Sequence, residues 1–128
     1  MVCREIYEAA LRLLSESVVD GENADYEERA PYLIAAFCTD VKETDAAWRR
    51  AYAEEGQGEW NAVYVSLDDI FPLAERFAPA AAYYLAAMLV LENNEDMSDR
   101  LYDRCSDLVS AVREGIPCEI SPIINRYL

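Results

Sequence analysis

Histidine is absent from this chain, and lysine occurs once, at Lys42. A nucleophilic triad built on imidazole is therefore excluded, and the serine–lysine variant has one base to draw on. The usual zinc sets lose their histidines, and no CxxC pair joins Cys3, Cys38, Cys105 and Cys118. Glycine is equally sparse: Gly21, Gly56, Gly58 and Gly115 are scattered and make no phosphate-cradling loop. Positive charge is in deficit, with 11 basic residues against 25 acidic ones and a formal net charge of −14. A basic patch for nucleic acid is missing, and the field repels phosphate at long range, so sequence-specific nucleic-acid binding is not expected.

Long apolar runs are also missing, with one near exception. From Phe77 to Leu91 no residue is charged, and six of these fifteen residues are alanine. As a helix this stretch spans about 22 Å, short of the ~30 Å hydrocarbon layer. Pro79 near its start suits a first helical turn. The stretch predicts the central helix of a soluble bundle over Pro79 to Glu92, covered by neighbours on several sides. The amino-terminal "MVCREIYEAALRLL" has acids where a signal peptide has its apolar core, and the carboxyl end carries no lipidation signal. A cytoplasmic location without membrane association is the expectation.

What is present reads as one helical domain over residues 1–128. Hydrophobic content of 53% is ample for a core, and the cysteines are expected in it as reduced, small apolar residues. Ile6, Ala10, Leu13, Leu14 and Ser17 share a face, predicting an amphipathic helix from Cys3 to Ser17 that ends at Asp20–Asn23. A second helix is expected after a cap at Asp25, carrying Leu33, Ile34, Phe37 and Val41, with a bend or late start at Pro31. A third is expected from Thr44 to Glu54, burying Ala47, Trp48, Ala51 and Tyr52 and stopped by Gly56 and Gly58. Val63 and Val65 alternate with Tyr64 and Ser66, which suits a short strand, and Leu67, Ile70 and Phe71 read as anchors. After an Asn93–Asn94 turn, a cap at Asp96 or Ser98 opens a helix with Leu101, Cys105, Leu108 and Val112 inward and Asp99, Asp103 and Asp107 outward. The tail "IPCEISPIINRYL" is apolar enough to dock. The fold class expected is mainly α: a bundle of four or five helices with at most one short β segment near residues 62–66.

Two constellations are candidates for chemistry or binding. Carboxylates three apart share a helix face and can hold Mg²⁺ through oxygen. Glu5 and Glu8 form such a pair, and Glu92, Glu95 and Asp96 stand together in "ENNED". All-α nucleoside triphosphate pyrophosphohydrolases use clusters of this kind. The second constellation is aromatic: Trp48, Trp60, Tyr64 and Phe71 gather around the loop into the extended segment, as a loop anchor or as a partner surface.

The order of elements carries a resemblance. "EIYEAALRLLSE" opens the chain, "DYEERAPYLIAAFC" follows, and "LDDIFPLAERFAPAAAYYLAAMLVLENNEDMSDRLYDRCSDLV" closes it. This is similar to head–tail connector, or adaptor, proteins of tailed bacteriophages and prophages of Gram-positive bacteria. The stretch from Trp48 to Trp60 lies outside the resemblance. The resemblance implies a small helical subunit without catalytic residues, cofactor or metal, assembling as a ring between portal and tail. Its partners would be portal and tail-completion proteins and other copies of itself, in the host cytoplasm and in the virion of an active prophage. An acidic lumen wall would let DNA slide without sticking. An acidic inhibitor that imitates DNA would carry the same charge, and remains the alternative beside the pyrophosphohydrolase.

Overall fold

The computed structural model describes residues 1–16 and 23–117. Four α-helices make up the described fold: α1 (Cys3–Leu13), α2 (Ala24–Ala51), α3 (Ala78–Val90) and α4 (Glu95–Glu114), with a 3₁₀ turn at Glu75–Phe77 leading into α3. No described helix is long and apolar enough to cross a membrane. The expected turn around Asp20 and the docking of the tail beyond Pro117, including Cys118, fall outside the described residues.

Helix α3 is the centre of the bundle. Among its thirteen residues only Pro79 is exposed, because α1, α2 and α4 all pack on it. A helix that is apolar all round is stable in water only when its neighbours supply that cover, and alanine lets them approach closely. The α3–α4 hairpin follows the sequence expectation with one change. The cap of α4 is Asn94, whose Oδ1 accepts from the Met97 N–H at 3.0 Å. Asp96 lies inside the first turn, where its charge meets the positive helix end. Ser98 is buried and donates its hydroxyl to the Ala87 carbonyl at 2.8 Å, tying the two helices together.

The expected second and third helices are one. Helix α2 runs unbroken from Ala24, so neither the cap at Asp25 nor a late start at Pro31 holds: Asn23 occupies the cap position and Asp25 the first turn. Pro31 removes one ladder donor, at a cost of about 3 kcal/mol in an isolated helix. Burial of Pro31 with Ala30, Ile34, Ala35, Phe37 and Cys38 offsets that cost. The inward stripe of α2 continues through Val41 to Asp45, so Ala51 and Tyr52 are exposed and Ala47 and Trp48 half-buried. The helix ends before Gly56 and Gly58, with Ala53 in the left-handed region at φ 54°.

No strand forms among the described residues. Residues 52–74 cross the bundle as an extended, irregular segment whose one β pairing is an isolated antiparallel bridge between Val2 and Ile70. The period-two pattern is real, since Val65, Leu67, Phe71 and Leu73 are buried. Ile70 is on the other phase and 74% exposed, so it is not an anchor. The backbone of this segment bonds to helices. Asp69 and Leu67 carbonyls accept from the Cys3 and Arg4 N–H groups at 2.9 and 2.8 Å. Those donors are orphans of the first turn of α1, which has no side-chain cap. Val65 N–H donates to the Pro31 carbonyl at 3.2 Å. An extended segment alone has no ladder partner, and capping α1 takes the place of one.

Cys3, Cys38 and Cys105 are free and buried. Burial pushes the thiols of Cys3 and Cys105 up to about 11 and raises that of Cys38 as well. All three are therefore expected to resist a thiol reagent near neutral pH in the native protein, so that no more than one of the four thiols reacts fast; release of all four before unfolding would contradict this packing. The sign for stability follows from linkage. Thiols whose folded pKa exceeds the ordinary 9.0 stabilise the fold fully below that pH, and this contribution fades as pH rises through about 11. Urea midpoints are expected to fall over that alkaline window.

Candidate functional site

A structureless connection longer than about 12–15 residues is uncommon in a compact domain and usually carries function. The crossing segment 52–74 exceeds that length, and both of its ends are held by one carboxylate. Asp45 is fully buried on the inward stripe of α2. Its Oδ2 accepts from Arg49 Nε at 2.8 Å and from Gln57 Nε2 at 2.7 Å, while its Oδ1 accepts from the Ala74 N–H at 2.8 Å. Arg49 and Gln57 extend the clasp to backbone carbonyls, of Glu55 at 2.8 Å and Lys42 at 2.7 Å. A buried charge is tolerated only when paired and hydrogen-bonded on its remaining lone pairs, as here. The chemistry available to Asp45 is therefore positional: it fixes where the segment leaves α2 and where it reaches the 3₁₀ turn.

The four aromatic residues singled out in the sequence do not form one cluster. Trp48 is half-buried, lies 5.3 Å from the Tyr52 ring, and is covered by the Arg76 guanidinium at 5.6 Å. Trp60 packs its half-buried ring on the core, with Lys42 Nζ 5.6 Å from its centre. Phe71 is a core residue, 5% exposed, and offers a partner almost nothing. Tyr64 alone is turned outward, and it meets Tyr32 of α2 edge-on at 5.1 Å. Together with Val63 these make an exposed aromatic–aliphatic patch, with Tyr32, Val63 and Tyr64 at 52%, 66% and 45% exposure. Sequence reasoning missed Tyr32 because it sits thirty-odd positions away on α2; only the crossing of the segment brings it to Tyr64.

The candidate carboxylates are not brought together. Glu5 and Glu8 are on α1, Glu92 is in the α3–α4 turn, and Glu95 and Asp96 are in the first turn of α4. Among the described residues no group of three acids or cysteines converges where a metal ion would be held. The acids of α4 form a different pattern. Asp96, Asp99, Asp103, Asp107 and Glu114 share one exposed face, with fourfold steps of about 6 Å along the axis. None of them takes part in an ion pair among the described residues. Arg100 and Arg104 run beside the stripe, also exposed. No family model matches the chain, and no curated protein or solved structure matches it either.

Proposed function

We propose that the chain is a non-enzymatic assembly subunit of the phage or prophage head–tail connector type. The observation that carries this reading is the rigid display of the Tyr32–Val63–Tyr64 patch. The Asp45 clasp and the Val65 bond to Pro31 hold that segment in place without using the outward side chains. Large aromatic residues fixed at low entropic cost are what a protein interface uses as anchors. The partner would be a portal or tail-completion protein, or the next copy in a ring through unlike surfaces. In the same reading the acidic stripe of α4 faces the DNA path and keeps it from sticking.

The test is Val63→Asp with Tyr64→Ala, made in a phage or prophage that carries the gene. Both side chains are exposed, so the subunit is expected to fold with an unchanged melting temperature while filled heads fail to join tails. Normal infectious particles from the double variant would discard this surface. Normal particles after complete deletion would discard the connector function.

The stripe on α4 also favours a second reading, an inhibitor that imitates DNA. Then a nucleic-acid-binding partner would be lost on Asp99→Asn, Asp103→Asn and Asp107→Asn and at high salt, and would be indifferent to Tyr64. As isolated side chains, the three acids repel one another at helical spacing. Their joint neutralisation is expected to stabilise the free protein slightly, by about 0.2–0.5 kcal/mol per pair relieved, read as a small rise in melting temperature at low salt that disappears at high salt.

A further inference from the structure

Helices α2 and α4 both pack on α3 but touch each other little, and a cleft of about 280 Å³ lies between them over α3. Small-ligand pockets begin at about this size. Three aromatic rings line it. Phe37 of α2 is buried, Tyr84 of α3 is half-buried and Tyr102 of α4 is exposed. The Tyr84 ring centre lies 5.5 Å from that of Phe37 and 6.4 Å from that of Tyr102, with the planes inclined by 49° and 51°. Asp40 of α2 and Arg113 of α4 line the same cleft. We propose that it binds a small methylated-ammonium zwitterion, with the cationic head among the three rings and Asp40 and the anionic end at Arg113.

The cationic head follows from the rings and the acid. Aromatic faces attract a cation within about 6 Å, and mutually inclined rings offer a compact cation more than one face. Asp40 adds a full negative charge, and it makes no hydrogen bond or ion pair among the described residues. It lies within electrostatic reach of the central ring: burial first, and then the Asp40 carboxylate, push the Tyr84 phenol up. A net charge of −14 raises the local concentration of cations further. Val41, Cys105 and Val109 make much of the remaining lining apolar. Such a lining favours a methylated ammonium over a bare one, which is strongly hydrated and loses that hydration on entry.

The anionic end follows from Arg113, which would otherwise oppose a cation in the same cleft. Its Nη2 donates to Thr44 Oγ1 at 3.5 Å, a long contact to a neutral acceptor that a carboxylate displaces. No acid pairs with Arg113 among the described residues. Thr44 is one turn beyond Asp40 on α2, about 6 Å along the axis. The two charged ends of the ligand are therefore separated by a short aliphatic chain, and Ser106 and Ser110 line the α4 side between Tyr102 and Arg113. The cleft shares no residue with the Tyr32–Val63–Tyr64 patch, so a solute here does not compete for the residues of that surface.

The experiment titrates the full chain with 4-trimethylammoniobutanoate and follows methyl and aromatic NMR resonances. Saturable shifts are expected at Val41, Tyr84, Tyr102 and Val109. Two analogues each remove one charge: 5,5-dimethylhexanoate lacks the cation and butyltrimethylammonium lacks the carboxylate. Each is expected to bind about tenfold more weakly. Asp40, Tyr102 and Arg113 are exposed, so their variants are expected to keep the melting temperature. Asp40→Asn and Tyr102→Leu should each weaken the zwitterion about tenfold, while Tyr102→Phe, which keeps the ring, should bind as before. Arg113→Gln should weaken the zwitterion and leave butyltrimethylammonium unaffected. Absence of saturable shifts at about 10 mM, shifts centred on another face, equal binding of 5,5-dimethylhexanoate, or full affinity in Tyr102→Leu would each overturn the proposal. Equal affinity with and without the carboxylate would overturn its zwitterionic part. The protein is expected to stay in the supernatant when phosphatidylcholine vesicles are sedimented; co-sedimentation would overturn the assignment to a free solute and give the cleft to a lipid headgroup.

Discussion

Asp45→Ala is expected to lower the unfolding free energy by about 3–5 kcal/mol, the range for breaking a buried pair by removing one partner. The side chain is fully buried and accepts three hydrogen bonds from Arg49, Gln57 and Ala74. Its removal leaves a largely buried guanidinium facing a void and an amide and a backbone N–H without acceptors. Against the roughly 5–15 kcal/mol that holds a domain of this kind together, this is a large share. Asp45→Asn is not a conservative escape. With its oxygen kept on the Ala74 N–H, its amide nitrogen would oppose two donors, Arg49 Nε and Gln57 Nε2. Urea unfolding followed by circular dichroism checks the expectation: the midpoint should fall sharply with the slope unchanged. A loss under 1 kcal/mol would mean that the clasp is not what holds segment 52–74. The same variant is expected to loosen the presentation of Tyr64, so proteolysis in that segment should accelerate before global unfolding.

Phe77→Ala is expected to cost a similar amount, about 3–5 kcal/mol, because a fully buried ring leaves a cavity that helices on either side cannot collapse into. Its position couples it to Asp45. Ala74 donates its N–H to Asp45 and accepts from the Phe77 N–H at 3.0 Å, so both residues brace the same corner between the crossing segment and α3. The double variant should therefore lose less than the sum of the two single losses. Strict additivity would show that the corner is not a shared unit.

The α3–α4 hairpin was legible from sequence because its signals are local and agree. Pro79 sits in a first turn, an apolar run of the right length follows, an asparagine turn interrupts it, and Leu101, Cys105, Leu108 and Val112 repeat on one face. The burial of Cys3, Cys38 and Cys105 was legible too, since small thiols without a ligand-like spacing belong in a core. Local signals failed where they conflicted with packing. Pro31 and Thr44 both read as boundaries, yet one long stripe from Ala30 to Asp45 is buried against α3, and that burial outweighs a single lost ladder bond. Of the alternating pair Val63 and Val65 only Val65 points inward, and of the three expected anchors Leu67 and Phe71 are buried while Ile70 is not. Period-two alternation could not tell that the segment's backbone would cap α1 instead of joining a sheet, because the partner is supplied by a distant residue pair.

The candidate site divides the same way. Exposed aromatic character around Tyr64 is written in the chain, but Phe71 was drawn into the core and Tyr32 was brought in from α2. Asp45 is one of 25 acids and looks like the rest, except that it continues the buried stripe of Ile34, Cys38 and Val41 at helical spacing. An acid on an apolar stripe is the one sequence signal of the clasp, and its meaning depends on three donors that lie four, twelve and twenty-nine positions away. By itself the sequence determined the helical class, the central apolar helix and the outward acids of α4, because periodicity and charge act residue by residue. Only the tertiary structure decided that α2 is continuous, that segment 52–74 is clasped at both ends, and that Tyr32 and Tyr64 meet, because each depends on partners that folding, and nothing local, brings within a hydrogen bond's reach.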